Sequence, residues 1–213
     1  MAVFNIRDFG AIGNGTQNDT ECIQAAIDTC ARSGGGTVFV PRGNYLCGAL
    51  FLKSYVHLHL DPGARIVSSM EEKDFPMLQN GKKAALISAR HGKQIAITGM
   101  GVIDGQGERF LEPDDGKGKE HVLRPIKTFR PKLIDLEGCT DVMFRDVTLY
   151  RPSAWCLHMT GCSRVLIDGI KILGQLRGPN NDGIDPDSCR DVHICNCHIE
   201  TGDDCIVLKT TRY

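Results

Sequence analysis

Three segments of the chain superimpose on one another without a gap: Cys139–Leu149, Cys162–Ile172 and Cys189–Ile199. Apolar residues fall at matching offsets in each: Val142, Val165 and Val192; Phe144, Ile167 and Ile194; Val147, Ile170 and Cys197; Leu149, Ile172 and Ile199. Gly92 with Ile95, Ile97, Met100 and Val102 fits the same frame. The anchors lie 47, 23 and 27 residues apart, and 47 reads as two periods. Strand-like self-similarity at this spacing, with no helix inside the unit, marks a solenoid of β-coils. The leucine-rich pattern is absent, and a propeller repeat would be longer. The expectation is an all-β solenoid, a right-handed parallel β-helix. Its coils stack about 4.8 Å apart, so like offsets become columns of like side chains.

Residues 1–44 read as an N-terminal cap and first coil, and 45–213 as β-coils, all in a single domain. Phe4–Ile6 is a short strand. Asn18-Asp19-Thr20 caps a helix over about 19–32, with Cys22, Ile23, Ala26, Ile27 and Cys30 on one face. That helix would cover the open apolar end of the first coil. Ser33-Gly34-Gly35-Gly36 stops it before the strand Thr37–Val40. The glycines precede a strand rather than a helix, so they do not form a phosphate cradle. Residues 104–132, rich in Gly, Pro and Asp, break the repeat and read as a loop insertion, which in a solenoid clusters at the binding face. The chain stops where another coil should begin, which suggests an N-terminal piece of a longer protein.

Net charge is −1, from Lys+Arg 25 against Asp+Glu 26, which leaves no electrostatic footprint for nucleic acid or an anionic membrane. No apolar run approaches the ~20 residues of a spanning helix. The N-terminus lacks the layout of a signal peptide, so the expectation is cytoplasmic, or secreted or periplasmic if the start is incomplete. The ten cysteines sit largely at strand-like positions and read as reduced core residues rather than disulfides. Zinc-type spacings are missing, so no structural metal is expected.

Chemistry concentrates in Asn180–Lys209. Asp182 follows a turn, and the adjacent pair Asp203 and Asp204 follows 21 residues later. Like charges brought together raise one another's pKa, an arrangement that a solvated surface does not need and acid/base catalysis often does. With the next anchor near Thr210, Asp182 and Asp203 each lie seven residues before an anchor and would stack on neighbouring coils. Trp155 falls one coil earlier in that column. Gly202 is expected to let the backbone bend so that both members of the pair point outward. Spacing leaves three readings open: catalysis, hydrogen-bonded turns at solenoid corners, and a Ca²⁺ site. It also spans both glycosidase carboxylate separations, about 5–5.5 Å for retention and about 6.5–9.5 Å for inversion.

The motifs Asn180-Asn181-Asp182-Gly183 and Gly202-Asp203-Asp204 resemble the N-T-D-G and G-D-D of glycoside hydrolase family 28, the polygalacturonases, at that family's separation. Asp8-Phe9-Gly10-Ala11 and Pro152–His158 are similar as well, so the resemblance covers essentially the whole chain. It implies a parallel β-helix that hydrolyses α-1,4-galacturonide bonds of pectin or oligogalacturonides with inversion and without a cofactor. Asp203 would be the general acid, and Asp182 and Asp204 would activate water. Asn181 replaces the usual Thr, as in some exo-acting members. The family's downstream G-H-G and R-I-K motifs lie beyond the chain's end, so the 213-residue piece is expected to be weakly active or inactive.

Asn180 belongs to the motif and joins the candidate substrate-binding residues. Trp155 is a sugar platform or packing, and His158 a donor to substrate or a structural histidine. Lys209 and Arg177 are candidates for a uronate carboxylate. His193 and His198 read as surface histidines, and Lys82-Lys83 and Lys117–Glu120 as solvated loops. The rival readings are a rhamnogalacturonan or other uronan hydrolase, a Ca²⁺-dependent lyase, and a non-catalytic carbohydrate-binding β-helix.

Overall fold

A computed structural model describes residues 2–116, 122–126 and 129–211. The charged stretch 117–120 therefore lies outside the described residues. All pairing between named strands is parallel, in three sheets that wrap one apolar core as a right-handed parallel β-helix. The first sheet holds Val3–Asn5, Gly36–Val40, Val56–Leu60, Lys93–Gly99, Thr140–Arg145, Ser163–Asp168 and Arg190–Cys195. The second holds Asn14–Asn18, Gly43–Cys47, Ala64–Ser68, Val102–Asp104, Thr148–Tyr150, Lys171–Leu173 and His198–Glu200. The third, which carries the site, holds Leu50–Phe51, Ile87–Arg90, Ile134–Glu137, Leu157–Thr160 and Ile184–Asp187.

The register reproduces the sequence columns. Ile95, Val142, Val165 and Val192 stack, as do Ile97, Phe144, Ile167 and Ile194. Leu149 stacks between Ile103 and Ile172, and Ile172 on Ile199. Two expectations fail here. Met100 and Val102 do not continue the pattern: Ile103, not Val102, faces Leu149, and Met100 is 72% exposed. One extra residue in that turn moves the second strand by one, which in a strand reverses its faces. The spacing of 47 is also not two periods. Ile87 pairs directly with Ile134, so it is a single coil enlarged by the 104–132 insertion.

The corners explain the anchors. Between the third and first sheets, His91, Gly138, Gly161 and Ser188 take φ of 51, 63, 62 and 54°. Three residues later Gln94, Asp141, Arg164 and Asp191 do so again, at 52, 56, 53 and 54°. Gly92, Cys139, Cys162 and Cys189 sit just after the first of these bends. All ten cysteines are free thiols.

The helix is Thr20–Arg32, with Ile23, Ala26, Ile27 and Cys30 buried against the first coil. Its N-cap carboxylate does not bond the helix. Asp19 is fully buried and instead accepts from the amides of Ile12, at 2.8 Å, and Gly13, at 3.0 Å. Asn18 accepts the Thr20 amide at 3.0 Å in its place. The cap thus ties the entry loop to the helix start.

Candidate active site

The third sheet turns its outward side chains into three columns along the helix axis. Its ladder extends N-terminally of the strands through Leu133 N to Trp155 O (3.2 Å), Cys156 N to Asp182 O (2.9 Å) and Gly183 N to Asp204 O (2.9 Å). Lys132, Trp155, Asp182 and Asp204 therefore occupy successive coils at one register position. The second column is Asp135, His158 and Asp185. The third runs Arg90, Glu137, Thr160, Asp187 and Lys209.

The sequence placed Trp155 and Asp182 in one column, and they are. It chose the wrong partner for Asp182 on the next coil. Asp204, not Asp203, stacks on Asp182, because Lys209 pairs with Asp187 and the coil anchor falls at Thr211 rather than Thr210. Asp203 precedes the column by one residue. The three carboxylates still converge: one oxygen from each of Asp182, Asp203 and Asp204 lies within 4.8 Å of the others. Asp182 is buried and the other two are exposed. Gly202 is required by close approach rather than by an unusual bend. A Cβ there would lie 2.5 Å from Gln175 O and 2.7 Å from Gly178 O.

Lys209 organises the buried side of the cluster. Its Nζ donates to Asp182 Oδ2 at 3.1 Å and to Asp185 Oδ1, and sits 4.3 Å from the centre of the Trp155 ring. Asp185 is fully buried, and burial pushes its carboxyl up, with Lys209 opposing and Asp182 adding to the rise. Burial works against the Lys209 ammonium too, but Asp185 and Asp182 outweigh it and hold its pKa above the usual lysine value. Asp182 Oδ1 and Asp185 Oδ2 are buried without a hydrogen-bond partner among the described residues.

One coil toward the N-terminus, His158 Nδ1 lies 2.8 Å from Asp135 Oδ1 and 2.9 Å from Lys132 Nζ. Lys132 donates to the same Asp135 oxygen at 3.0 Å, and Arg90 to Asp135 Oδ2 at 2.8 Å. Burial would raise Asp135, but His158, Lys132 and Arg90 together hold its carboxyl well below the usual range. His158 is 7% exposed and packs against Trp155 with the rings tilted, their centres 4.9 Å apart.

Other sequence candidates lie elsewhere. Arg177 is engaged by Asp114 of the inserted loop, with Nε 3.1 Å from Oδ2, so it fastens that loop and does not face the carboxylates. Arg130 of the same loop donates to Pro179 O at 2.8 Å and to Asn180 Oδ1 at 3.2 Å, fixing the turn before Asp182. Asn181 is buried, its Nδ2 3.4 Å from both Pro152 O and Gln175 O. His193 and His198 are exposed, as expected. Sequence reasoning missed Lys132, Asp135, Asp185 and Asp187. The alternation Asp-x-Asp in Asp185-Pro186-Asp187 was the available signal, since residues two apart share a face.

The family model described as "Glycosyl hydrolases family 28" matches residues 30–212. The chain belongs to glycosyl hydrolase family 28. Within that family it is 33% identical over 219 residues to a "Probable polygalacturonase" of Vitis vinifera, covering 95% of this chain and 43% of that relative. It superimposes on a solved hyperthermoactive exopolygalacturonase from Thermotoga maritima with a TM-score of 0.81 and 29% identity, over 98% of this chain and 55% of that one. It is also 41% identical over 179 residues to the "Plasmin and fibronectin-binding protein A" of Streptococcus pneumoniae, covering 80% of this chain and 24% of that protein. The chain thus spans less than half the length of these curated relatives.

Proposed function

We propose that this chain carries the catalytic carboxylates of a hydrolase acting on α-1,4-linked galacturonides of pectin. The observation that carries this is the convergence of Asp182, Asp203 and Asp204, one oxygen of each within 4.8 Å, on the outer face of a family 28 β-helix. Asp203 is the proton donor. One of its oxygens already accepts the Asp204 amide at 3.0 Å, and the exposed carboxyl presents the other to a leaving-group oxygen. Asp182 and Asp204 take the proton of the attacking water. Lys209 holds Asp182 in place through Oδ2, while the buried Oδ1 has no hydrogen-bond partner among the described residues, and Asp204 beside it is exposed. The substrate is a uronan, as the relatives' names suggest.

Inversion and exo-action are proposed on the family resemblance and the exo-acting neighbour.

The test follows reducing ends and the ultraviolet absorbance of unsaturated uronates together, using the full-length protein with polygalacturonate in EDTA. Reducing ends without absorbance, lost in Asp203→Asn, are expected. Absorbance that requires added Ca²⁺ would identify a lyase. A second reading, a binding β-helix without turnover, draws on the likeness to the pneumococcal binding protein. It predicts that neither signal appears.

A further inference from the structure

The aspartate column does not stop at Trp155. Lys132, from the end of the inserted loop, is its next member, two coils from Asp182 and so roughly 10 Å along the axis. Beside it opens a cavity of about 400 Å³, lined by Lys82, Arg90, Lys132, Asp135, Trp155 and His158 among others. A linear polymer lying along the axis over Asp204 and Asp182 would next pass Trp155 and then Lys132.

The charges in this cavity are unevenly matched. Arg90 is held by Asp135 and Glu137, and Asp187 has its oxygens taken by Thr211 and Ser188. Lys132 shares Asp135 with Arg90 and His158, and its Nζ also lies 4.7 Å from the Trp155 ring centre. An ammonium has three protons. Asp135 and His158 account for at most two of those on Lys132. Lys82 is exposed at the rim, and among the described residues its side chain has no carboxylate partner. Burial lowers the Lys132 pKa, and the nearby positive charge of Lys82 lowers it further. Two ammonium groups facing one cavity repel, and an anion placed between them relieves both.

We propose that Lys132 and Lys82 form a carboxylate-binding subsite for a uronosyl unit of the bound chain, set back from the cleavage point toward the N-terminus. This rests on the uronan reading of the aspartate cluster. It makes Lys132 a specificity-determining residue that distinguishes charged from esterified sugars.

The experiment uses the full-length protein carrying Asp203→Asn, so that bound oligomers are not cut. Calorimetry compares galacturonide oligomers of increasing length with the same oligomers methyl-esterified. Lys132→Met and Lys82→Gln should each weaken binding of the longer acidic oligomers about five- to tenfold, leaving the shortest acidic and all esterified oligomers unchanged. Lys132→Arg should restore most of the loss. Equal weakening for acidic and esterified oligomers, or no effect of either substitution, would overturn the subsite while the uronan reading stands. If the protein binds no galacturonide at all, both are wrong. Lys82 sits at the exposed rim, so its variant keeps the test valid even if Lys132→Met fails to fold.

Discussion

Lys209 donates to Asp182 at 3.1 Å and, through the same Nζ, to the fully buried Asp185. One ammonium thus serves two carboxylates, of which Asp185 would otherwise be costly to ionise through its burial and the nearby Asp182 charge. The sequence offered Lys209 to the substrate; the structure gives it to Asp182 and Asp185.

Lys209→Met should therefore destabilise the fold by about 2–3 kcal/mol, somewhat below the usual cost of breaking a buried pair because Lys209 is partly exposed. The pH dependence follows from Asp185, whose folded pKa is raised. A raised carboxyl favours the fold only while protonated, so stability is lost as pH rises from the unfolded value through the folded one. Removing Lys209 deepens that loss. Urea unfolding should show a deficit that is smallest in acid and grows above about pH 4. A pH-independent deficit would contradict the pairing.

Asp135 behaves with the opposite sign. Its carboxyl is held well below the ordinary range by His158, Lys132 and Arg90 against the opposing effect of burial. The stability it contributes is present above the unfolded carboxylate pKa, about 3.9, and is lost as pH falls through the folded value. Asp135→Asn should remove part of the acid-side slope of stability and lower stability at neutral pH. It also leaves Arg90 and Lys132 short of a counter-charge. Unfolding curves at several acid pH values would check this.

Gly202→Ala should cost both stability and activity. The added Cβ would lie 2.5 Å from Gln175 O and 2.9 Å from Gly178 N, all backbone atoms, so the segment carrying Asp203 and Asp204 must shift. A displacement near 1 Å at a reacting group can cost about a hundredfold in rate. We expect a larger fall in kcat than in thermal stability. Unchanged kcat would show that the aspartate pair is not positioned by this contact.

The coil architecture was legible in the sequence because a stacked solenoid repeats its core offsets, and Val142, Val165 and Val192 report that directly. Two features broke the count. One extra residue near Met100 shifted a strand, and the corner after the aspartate pair moved the anchor from Thr210 to Thr211, which gave the column to Asp204. Neither has a hydrophobic signature. Asp182, Asp203 and Asp204 were visible as a motif. The set of Lys132, Asp135 and His158 was not, since these residues meet only by stacking one coil on the next. The inserted loop was legible as an interruption. Its fastening of Arg177 through Asp114 depends on tertiary contact alone.

The central claim is that Asp203 protonates the leaving group of a galacturonide held over Asp182 and Asp204. Proton NMR of trigalacturonate turnover by the full-length protein, read within the first minutes, tests it most directly. The account predicts that the newly formed reducing end appears first as the β anomer, with no unsaturated uronate signal. It predicts a loss of about 10²–10⁴-fold in Asp203→Asn. The α anomer appearing first would contradict inversion. An unsaturated product, or turnover surviving in Asp203→Asn, would contradict the assignment of the acid itself.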